Sequence, residues 1–353
     1  MGIYVHIPYC RSKCPYCDFF SLADKSSAQS YISAVNKKIT GFLAENRCEV
    51  ETLYIGGGTP SVLSGEQIAS IIENTKKCCR NSIYEITVEC NPSDTDSRFL
   101  EAIFNAGANR LSFGMQSADD SERRALGRRA GAKEVEKAVK LAQSIGFKNI
   151  SLDLMLGIPG QTRESLSRSI SFCVNLGVTH ISSYILKLEE GTPFFRKRNT
   201  LDLPDDDETA EFYLQAVEEL EKSGFGQYEI SNFAIPGAES RHNLKYWNLE
   251  EYLGVGASAH SFVAGKRFYY PRDIEYFLSG SDPVSDGEGG DDEEAIMLGL
   301  RLKKGIDISL LSERAKLQIP MLVCEGWAKQ KGNRLSLTPK GFLISNSIIN
   351  LLT

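Results

Sequence analysis

The chain has 353 residues, of which 42% are hydrophobic and 24% are charged, an ordinary balance for a globular protein. Its 40 Lys and Arg against 46 Asp and Glu give a formal net charge of −6, which argues against a broad basic surface for nucleic acid or anionic lipid. The sequence shows no signal-peptide pattern and no apolar run of about 18 residues, so we expect a cytoplasmic protein without a membrane span. Thiols stay reduced in that compartment, so clustered cysteines favour metal ligands or reactive groups over disulfides.

Six β-rich runs alternate with amphipathic stretches. The predicted strands are, in chain order, Ile3–Ile7, Glu51–Ile55, Ile83–Glu89, Arg110–Met115, Asn149–Met155 and Thr179–Leu186. The predicted helices cover 28–45, 65–79, 95–106, 131–145, 162–176 and 206–223. Such alternation predicts an α/β fold with a parallel sheet and right-handed crossovers. Six repeats fall short of the eight of a closed barrel, so we predict a partial, TIM-like (β/α)6 barrel with its chemistry at the carboxyl ends of the strands.

The alternation ends near residue 225 and suggests how the chain divides. We predict the barrel in residues 1–225 and an extension of it, rich in Tyr, Phe, Gly and Asn, in 226–280. The acidic, glycine-rich stretch 281–294 is typical of a linker. Residues 295–353 carry helical patterns and a short β segment at Arg334–Leu337, which favour a small, mostly helical domain similar to a winged helix.

Three of the nine cysteines lie in the string CRSKCPYC directly after the first predicted strand, as Cys10, Cys14 and Cys17. Three thiolates on one short loop can bind three irons of a 4Fe–4S cube and leave the fourth iron open to a small molecule. A structural zinc site would need a fourth protein ligand, for which His6 is the close candidate. The spacing therefore favours an iron–sulfur cluster, with zinc or unligated thiols as the alternatives.

The C-x-x-x-C-x-x-C spacing, with Tyr16 before the third cysteine, resembles the radical S-adenosylmethionine (SAM) superfamily. The wider string YVHIPYCRSKCPYCDF is similar to the branch that contains the oxygen-independent coproporphyrinogen III oxidase HemN and its relative HemW. The resemblance implies that the amino and carboxylate groups of SAM chelate the open iron. It also implies that the reduced cluster cleaves SAM to a 5′-deoxyadenosyl radical, while the protein supplies binding and orientation.

The same resemblance marks nine residues as SAM contacts. The string GGGTP matches a glycine-rich motif after the second strand, although alone it would only indicate a tight turn. Asp153 is a charge within an apolar strand, which is costly unless a partner or ligand compensates it. The full set is Tyr4, Tyr16, Gly57, Gly58, Thr59, Glu89, Gln116, Arg128 and Asp153. Three of them, Gln116, Arg128 and Asp153, match residues that are assigned to a second SAM in the HemN branch. The sequence does not decide whether this chain has that second site.

Two features separate this chain from the oxidase. The oxidase has a further cysteine two residues after the third ligand, where this chain has Phe19. The string H-N-x-x-Y-W, from His242 to Trp247, is the signature of the HemW relatives, and the resemblance to them covers nearly the whole chain. These relatives are read as haem chaperones, so the resemblance implies haem as cargo in addition to the 4Fe–4S cluster and SAM.

His242 is then a candidate iron ligand, since a neutral imidazole suits haem iron, and Tyr246 and Trp247 are candidates to pack against the porphyrin. The competing interpretation makes His242 a hydrogen-bonded histidine in a core corner. His260 and Cys324 are weaker alternative ligands.

The resemblance thus implies a haem chaperone that inserts haem into recipient haemoproteins, including peripheral contact with membrane-bound ones. The alternatives are an oxidase that converts two propionates to vinyls, and a radical methyltransferase or haem-degrading relative. Whether the chain is an enzyme is left open, although Phe19 argues against oxidase activity. No nucleic-acid partner is expected. The sequence does not decide the oligomeric state, and a homodimer is compatible with it.

Overall fold

The structure is a computed structural model that describes residues 1–46, 48–128 and 130–353. Its centre is a sheet of six parallel strands that lie side by side in chain order. They are β1 (Gly2–Ile7), β2 (Thr52–Gly57), β3 (Glu85–Cys90), β4 (Arg110–Gln116), β5 (Asn149–Leu156) and β6 (His180–Ile185). Order and direction confirm the predicted partial (β/α)6 barrel.

Helices connect these strands and cover the outer face of the sheet. They are α1 (Ala28–Glu45), α2 (Gly65–Cys78), α3 (Ser97–Ala106), α4 (Asp120–Ala125), α5 (Ala132–Ile145), α6 (Arg163–Asn175), α7 (Pro193–Arg196) and α8 (Asp206–Lys222). Their bounds follow local signals, as in α2, where the Ser64 hydroxyl accepts from the Gln67 backbone and the Gln67 side chain accepts from the Ser64 backbone. Helix α1 buries one apolar face at helical spacing, with Tyr31, Ile32, Val35, Ile39 and Leu43.

The barrel sheet is extended at both edges. Beyond β6 lie the short antiparallel strands β8 (Asn232–Ala234) and β7 (Gly226–Gln227). On the other side β9 (Tyr252–Val255) pairs parallel with β1. Two antiparallel strands follow, β10 (His260–Val263) and β11 (Lys266–Tyr269). This half of the chain also holds α9 (Arg241–Trp247) and α10 (Ile274–Leu278).

The division into domains stays a prediction, but the stretch 281–294 has more structure than a linker. It contains β12 (Val284–Glu288), which pairs antiparallel with β11 and forms the edge of the sheet, and α11 begins at Asp292. All five residues of β12 are exposed, so the strand lacks the apolar alternation from which strands are predicted. Its acidic side chains suit a sheet edge that must not pair with other chains.

The C-terminal segment confirms the prediction of a small winged-helix-like unit. Its elements are α11 (Asp292–Gly299), β13 (Ile306–Asp307), α12 (Glu313–Lys316), α13 (Ile319–Cys324), β14 (Ala328–Lys331), β15 (Arg334–Leu337), α14 (Pro339–Leu343) and α15 (Ser345–Leu352). The three strands form a separate sheet in the order β13-β15-β14. Across the described residues, we find no helix that combines the length and apolar character needed to cross a bilayer.

Strand alternation decides which side chains reach the interior of the barrel. In β1, Ile3, Val5 and Ile7 are fully buried in the apolar core. The intervening Tyr4 and His6 face the other way and bond to each other. The polar residues of the predicted site lie on this second face or in the loops that follow it.

Candidate functional site

The cysteine loop begins where β1 ends and is held at both of its ends. The Cys10 backbone donates to the Leu22 carbonyl at 2.9 Å, and the Leu22 backbone donates to the Pro8 carbonyl at 2.8 Å. Between these anchors Cys10, Cys14 and Cys17 are partly exposed, and all nine cysteines of the chain are free thiols. The chain thus presents three unpaired thiols at the carboxyl end of the barrel.

The middle of this loop packs on a small apolar cluster of its own, formed by Leu126, Ile158 and Phe194. Tyr16 lies against it, with its ring centroid 6.1 Å from that of Phe194. The Phe194 backbone also donates to the Pro15 carbonyl at 3.0 Å. The segment between the second and third cysteines therefore has a defined position.

The glycine turn after β2 lies directly beside the first cysteine. The Gly58 and Thr59 backbones donate to the carbonyls of Ile7 and Tyr9 at 2.9 and 2.7 Å. The Thr59 hydroxyl is 3.3 Å from the Cys10 sulfur. A Cβ on Gly58 would lie 2.6 Å from the Tyr9 carbonyl oxygen, so only glycine permits this approach.

His6, on β1, forms a hydrogen bond to the backbone of the cysteine loop. Its Nε2 lies 2.9 Å from the Phe20 carbonyl oxygen, and its Nδ1 lies 3.0 Å from the Tyr4 hydroxyl. A carbonyl only accepts, so Nε2 carries the proton and Nδ1 accepts from Tyr4. Burial lowers the pKa of His6 to about 4, so the ring is neutral at pH 7. Both nitrogens are engaged, which argues against His6 as a fourth zinc ligand.

Glu89 lies at the carboxyl end of β3 and joins two neighbouring elements. It accepts from the Tyr54 hydroxyl at 2.7 Å and from the Gly57 backbone at 3.0 Å. Burial raises the pKa of Glu89 to about 7, and the negative charge of Asp153 adds to this effect. A buried carboxyl group that titrates near neutral pH is typical of a functional site.

Gln116, Arg128 and Asp153 converge at the end of β4. A Cβ on Gly114 would meet the Gln116 amide nitrogen at 3.2 Å and the Arg128 guanidinium at 3.3 Å. Arg128 donates to the Tyr16 hydroxyl through two nitrogens, at 2.8 and 3.1 Å. Asp153 accepts from the Ser112 hydroxyl at 3.3 Å, and burial raises its pKa.

Gln116 itself has a φ of 71°, a left-handed conformation that is uncommon for a residue other than glycine. The strand is irregular here, since the register with β5 shifts between Gly114 and Gln116. Backbone strain of this kind costs free energy and is often found at functional sites.

The HNxxYW segment lies at the opposite end of the barrel. His242 contacts the beginning of β2, with Nδ1 2.8 Å from the Thr52 hydroxyl, and its backbone donates to Glu85 at 2.9 Å. The cysteine loop follows Ile7, which a six-residue strand separates from this end by roughly 17 Å. The structure therefore does not bring the predicted haem residues and the cysteines into one cluster.

His242 is fully buried, and both of its ring nitrogens have partners. Its Nε2 lies 2.8 Å from the Tyr246 hydroxyl, and its ring stacks on Tyr54 with centroids 5.2 Å apart. Burial lowers the pKa of His242 to about 3. This geometry is that of a hydrogen-bonded core histidine, so iron binding would require Tyr246 to move away. Trp247 is half-buried, with the Arg301 guanidinium 6.0 Å from its ring centroid.

Sequence reasoning missed the roles of three polar residues of the barrel interior, of which only His6 was named, as a candidate zinc ligand. His6 holds the cysteine loop, Tyr54 links Glu89 to His242, and Arg110 is a buried cation whose charge partly offsets the burial of Glu89 and Asp153. Polar residues at alternate positions of otherwise apolar strands were the available signal. Their partners lie on other strands and could not be read from the sequence.

The residues present fit an iron–sulfur cluster and SAM. Thiolates are the ligands that such clusters use, and the three free thiols lie on one anchored loop. The adjacent glycine turn packs closely against the start of this loop and places the Thr59 hydroxyl beside Cys10. Among residues 1–46, 48–128 and 130–353, no three His, Cys, Asp or Glu side chains converge on a position for a single metal ion.

Comparison with known proteins first gives the class. Residues 4–173 match the sequence model of the Radical SAM superfamily, and residues 293–344 match that of the HemN C-terminal domain. The fold is that of the radical SAM enzyme coproporphyrinogen III oxidase (HemN) from Escherichia coli. The TM-score is 0.84 at 22% identity, over 99% of this chain and 89% of that one.

Curated relatives then give the family. The heme chaperone HemW of Bacillus subtilis is 36% identical over 88% of this chain and 86% of its own length. Those of Escherichia coli and Lactococcus lactis are each 32% identical, over 99% and 98% of this chain and 97% and 95% of their own lengths. The chain belongs to the HemW family of radical SAM proteins.

Proposed function

We propose that this protein is a haem chaperone, which binds haem and inserts it into recipient haemoproteins. The observation that carries the proposal is the similarity, over nearly the whole chain, to several relatives named heme chaperone HemW. The recipients, a cytoplasmic location and a homodimer stay predictions.

We propose further that Cys10, Cys14 and Cys17 hold a 4Fe–4S cluster and that the residues around this loop and the glycine turn bind SAM. When bound, such a cluster supplies one-electron reduction. The protein's own part is to keep the thiols in place, through the backbone bonds at Cys10 and Leu22 and the apolar cluster under Tyr16. A second SAM beside Gln116, Arg128 and Asp153 also stays a prediction.

The oxidase alternative is less well supported. Phe19 occupies the position of the oxidase's extra cysteine and is 67% exposed on the cysteine loop. An exposed aromatic ring offers apolar contact area and no thiol chemistry. The likeness to the oxidase structure, at 22% identity, concerns the fold alone.

Two histidines are candidate ligands of the haem iron. His242 can bind iron through Nε2 only when its bond to Tyr246 is exchanged for the metal. His260 is the exposed alternative and stacks on Tyr269 with centroids 5.2 Å apart. The two histidines lie in different environments and can be tested separately.

One anaerobic preparation can test the proposal. The protein is reconstituted with iron and sulfide, titrated with haem, and assayed with coproporphyrinogen III and SAM. We expect stoichiometric haem binding, transfer of that haem to an apo-haemoprotein, and no protoporphyrinogen. Formation of protoporphyrinogen with SAM turnover would overturn the chaperone proposal in favour of the oxidase.

A further inference from the structure

Arg123 is a buried cation that no motif identified. It lies on α4, in the connection between β4 and α5, and its side chain is 1% exposed. Burial lowers the pKa of Arg123 to about 10, so the guanidinium remains charged at pH 7. A buried guanidinium is costly unless its N–H groups find acceptors, so the acceptors indicate what it does.

The acceptors of Arg123 are three backbone carbonyls. Its Nη1 donates to the carbonyls of Met115 and Ser117, at 2.5 and 3.0 Å, and its Nε donates to that of Ala130 at 2.6 Å. Met115 and Ser117 are the two neighbours of Gln116 in the chain. Arg123 therefore forms hydrogen bonds to the backbone on both sides of Gln116, the residue with the left-handed conformation.

The same side chain also holds the loop that carries Arg128. Ala130 lies two residues after Arg128, and the Arg128 backbone donates to the Arg123 carbonyl at 2.8 Å. One residue is thus bonded to both neighbours of Gln116, to the Arg128 backbone and to Ala130. Gln116 and Arg128 are both predicted SAM contacts.

Residues 126–128 contact the cysteine loop. Arg128 donates to the Tyr16 hydroxyl at 2.8 Å, and a Cβ on Gly127 would lie 2.9 Å from the Pro15 ring. Leu126 belongs to the apolar cluster on which Tyr16 packs. A shift of residues 126–128 would therefore move Pro15 and Tyr16 and change the positions of Cys14 and Cys17 on either side of them.

The neighbouring Glu122 bonds to side chains rather than to backbone carbonyls. Its carboxylate accepts from the hydroxyls of Ser117 and Ser165, which ties the start of the connection to α6. Glu122 and Arg123 thus both bond to Ser117, Glu122 to the hydroxyl of that serine and Arg123 to its backbone carbonyl.

We propose that Arg123 is a positioning residue for the SAM pocket. It fixes the positions of Gln116 and Arg128 and, through Arg128, the position of the cysteine loop. This inference rests on the proposed binding of SAM. Only a planar guanidinium presents several donors in a fixed fork, so lysine can replace its charge and not its geometry.

The test compares Arg123→Gln and Arg123→Lys with Arg124→Gln, which changes the exposed arginine next in the chain. The first measurement uses metal-free protein. The rate at which iodoacetamide alkylates Cys14 and Cys17 is followed by peptide mass spectrometry, well below the unfolding temperature of each variant. We expect both Arg123 variants to react several-fold faster at these two thiols, with Cys324 unchanged. Arg124→Gln should match the wild type.

The second measurement uses the reconstituted protein. We expect Arg123→Gln to retain its iron content and to bind SAM about tenfold more weakly, a loss equivalent to about 1.4 kcal/mol. Arg123→Lys should bind SAM with intermediate affinity. A lower unfolding temperature with unchanged alkylation and SAM affinity would overturn the inference, since it would mark Arg123 as merely stabilising.

The two proposals fail in different ways. If the wild type bound no SAM, the SAM part of the proposed function would fail, while the alkylation rates would still report on the link from Arg123 to the cysteine loop. If Arg123→Gln did not fold, Arg123→Lys would carry the test, and wild-type rates and affinity in that variant would overturn the inference.

Discussion

The carboxylate of Glu89 accepts a hydrogen bond from the Gly57 backbone across 3.0 Å, which joins the end of β3 to the glycine turn beside the cysteine loop. The Tyr54 hydroxyl donates to the other carboxylate oxygen at 2.7 Å. Because the site is buried, these two bonds do not fully replace water, and the pKa of Glu89 rises to about 7.

The titration of Glu89 should make stability depend on pH. The folded chain holds this proton up to pH 7, whereas the unfolded chain loses it near 4.5, so deprotonation favours unfolding between these values. The unfolding free energy of the wild type relative to Glu89→Gln should therefore fall by about 3 kcal/mol between these pH values. Urea unfolding of the two metal-free proteins, carried out at several pH values between 4.5 and 7, measures this difference in unfolding free energy.

The comparison with Glu89→Gln isolates one group. Burial also raises the pKa of Glu229 to about 7, but Glu229 is present in both proteins and cancels. Replacement of the exposed Glu101 by Gln serves as the control. A difference between wild type and Glu89→Gln that stays constant with pH would contradict the prediction.

The close approach of the glycine turn to the cysteine loop predicts that Gly58→Ala is damaging. Its Cβ would meet the backbone oxygens of Tyr9 and Ile7 at 2.6 and 2.7 Å, which cannot move aside as a side chain can. We expect a loss of about 1–3 kcal/mol and poorer cluster incorporation. Thermal unfolding and iron content are the measurements.

Gly41→Ala is the matched control for that change. Gly41 lies within α1 with open space around the position of a Cβ, so alanine should stabilise the chain by about 0.5–1 kcal/mol. Equal stability of the two variants would count against the steric explanation.

The cysteine loop predicts which thiols matter for a cluster. Serine at Cys10, Cys14 or Cys17 should abolish the visible thiolate-to-iron absorption of anaerobically reconstituted protein, because each would bind one iron. Serine at the exposed Cys324 should leave the spectrum and the iron content unchanged. Retention of the full spectrum in any of the three loop variants would remove that residue from the ligand set.

The pairing of His242 with Tyr246 predicts an unusual response to haem. If His242 is the iron ligand, Tyr246→Phe should strengthen haem binding, because it keeps the ring and removes the hydroxyl that lies against Nε2. His242→Ala should abolish binding and cost about 2–4 kcal/mol of stability, from the cavity and the lost partners of Thr52 and Tyr246.

Haem titration followed by absorption, with His260→Ala as the comparison, separates the two candidate ligands. Loss of binding in His260→Ala with normal binding in His242→Ala would assign the iron to the exposed histidine. Weaker binding in Tyr246→Phe would indicate that the hydroxyl contacts haem directly.

Much of the barrel could be predicted from the sequence. Strand and helix positions follow from local periodicity and caps, and all six central strands were found within two residues of their bounds. The place of Cys10, Cys14 and Cys17 after β1 was equally local. The edge strand β12 was missed because an exposed strand at a sheet edge needs no apolar alternation.

The sequence by itself determined the fold class, the place of the three thiols on one loop after the first strand and, through Phe19 and the HNxxYW string, the branch of the superfamily. Only the tertiary structure decided which groups the buried polar side chains bond to. It gave His242 two hydrogen bonds at the end of the barrel away from the cysteines, and it set Arg123 on the carbonyls that flank Gln116. The physical reason is that the hydrophobic periodicity of a strand or helix depends only on residues that are neighbours in sequence. A buried polar group, by contrast, is satisfied by whatever the folded chain brings to it, which for Thr52 and His242 lies 190 residues away.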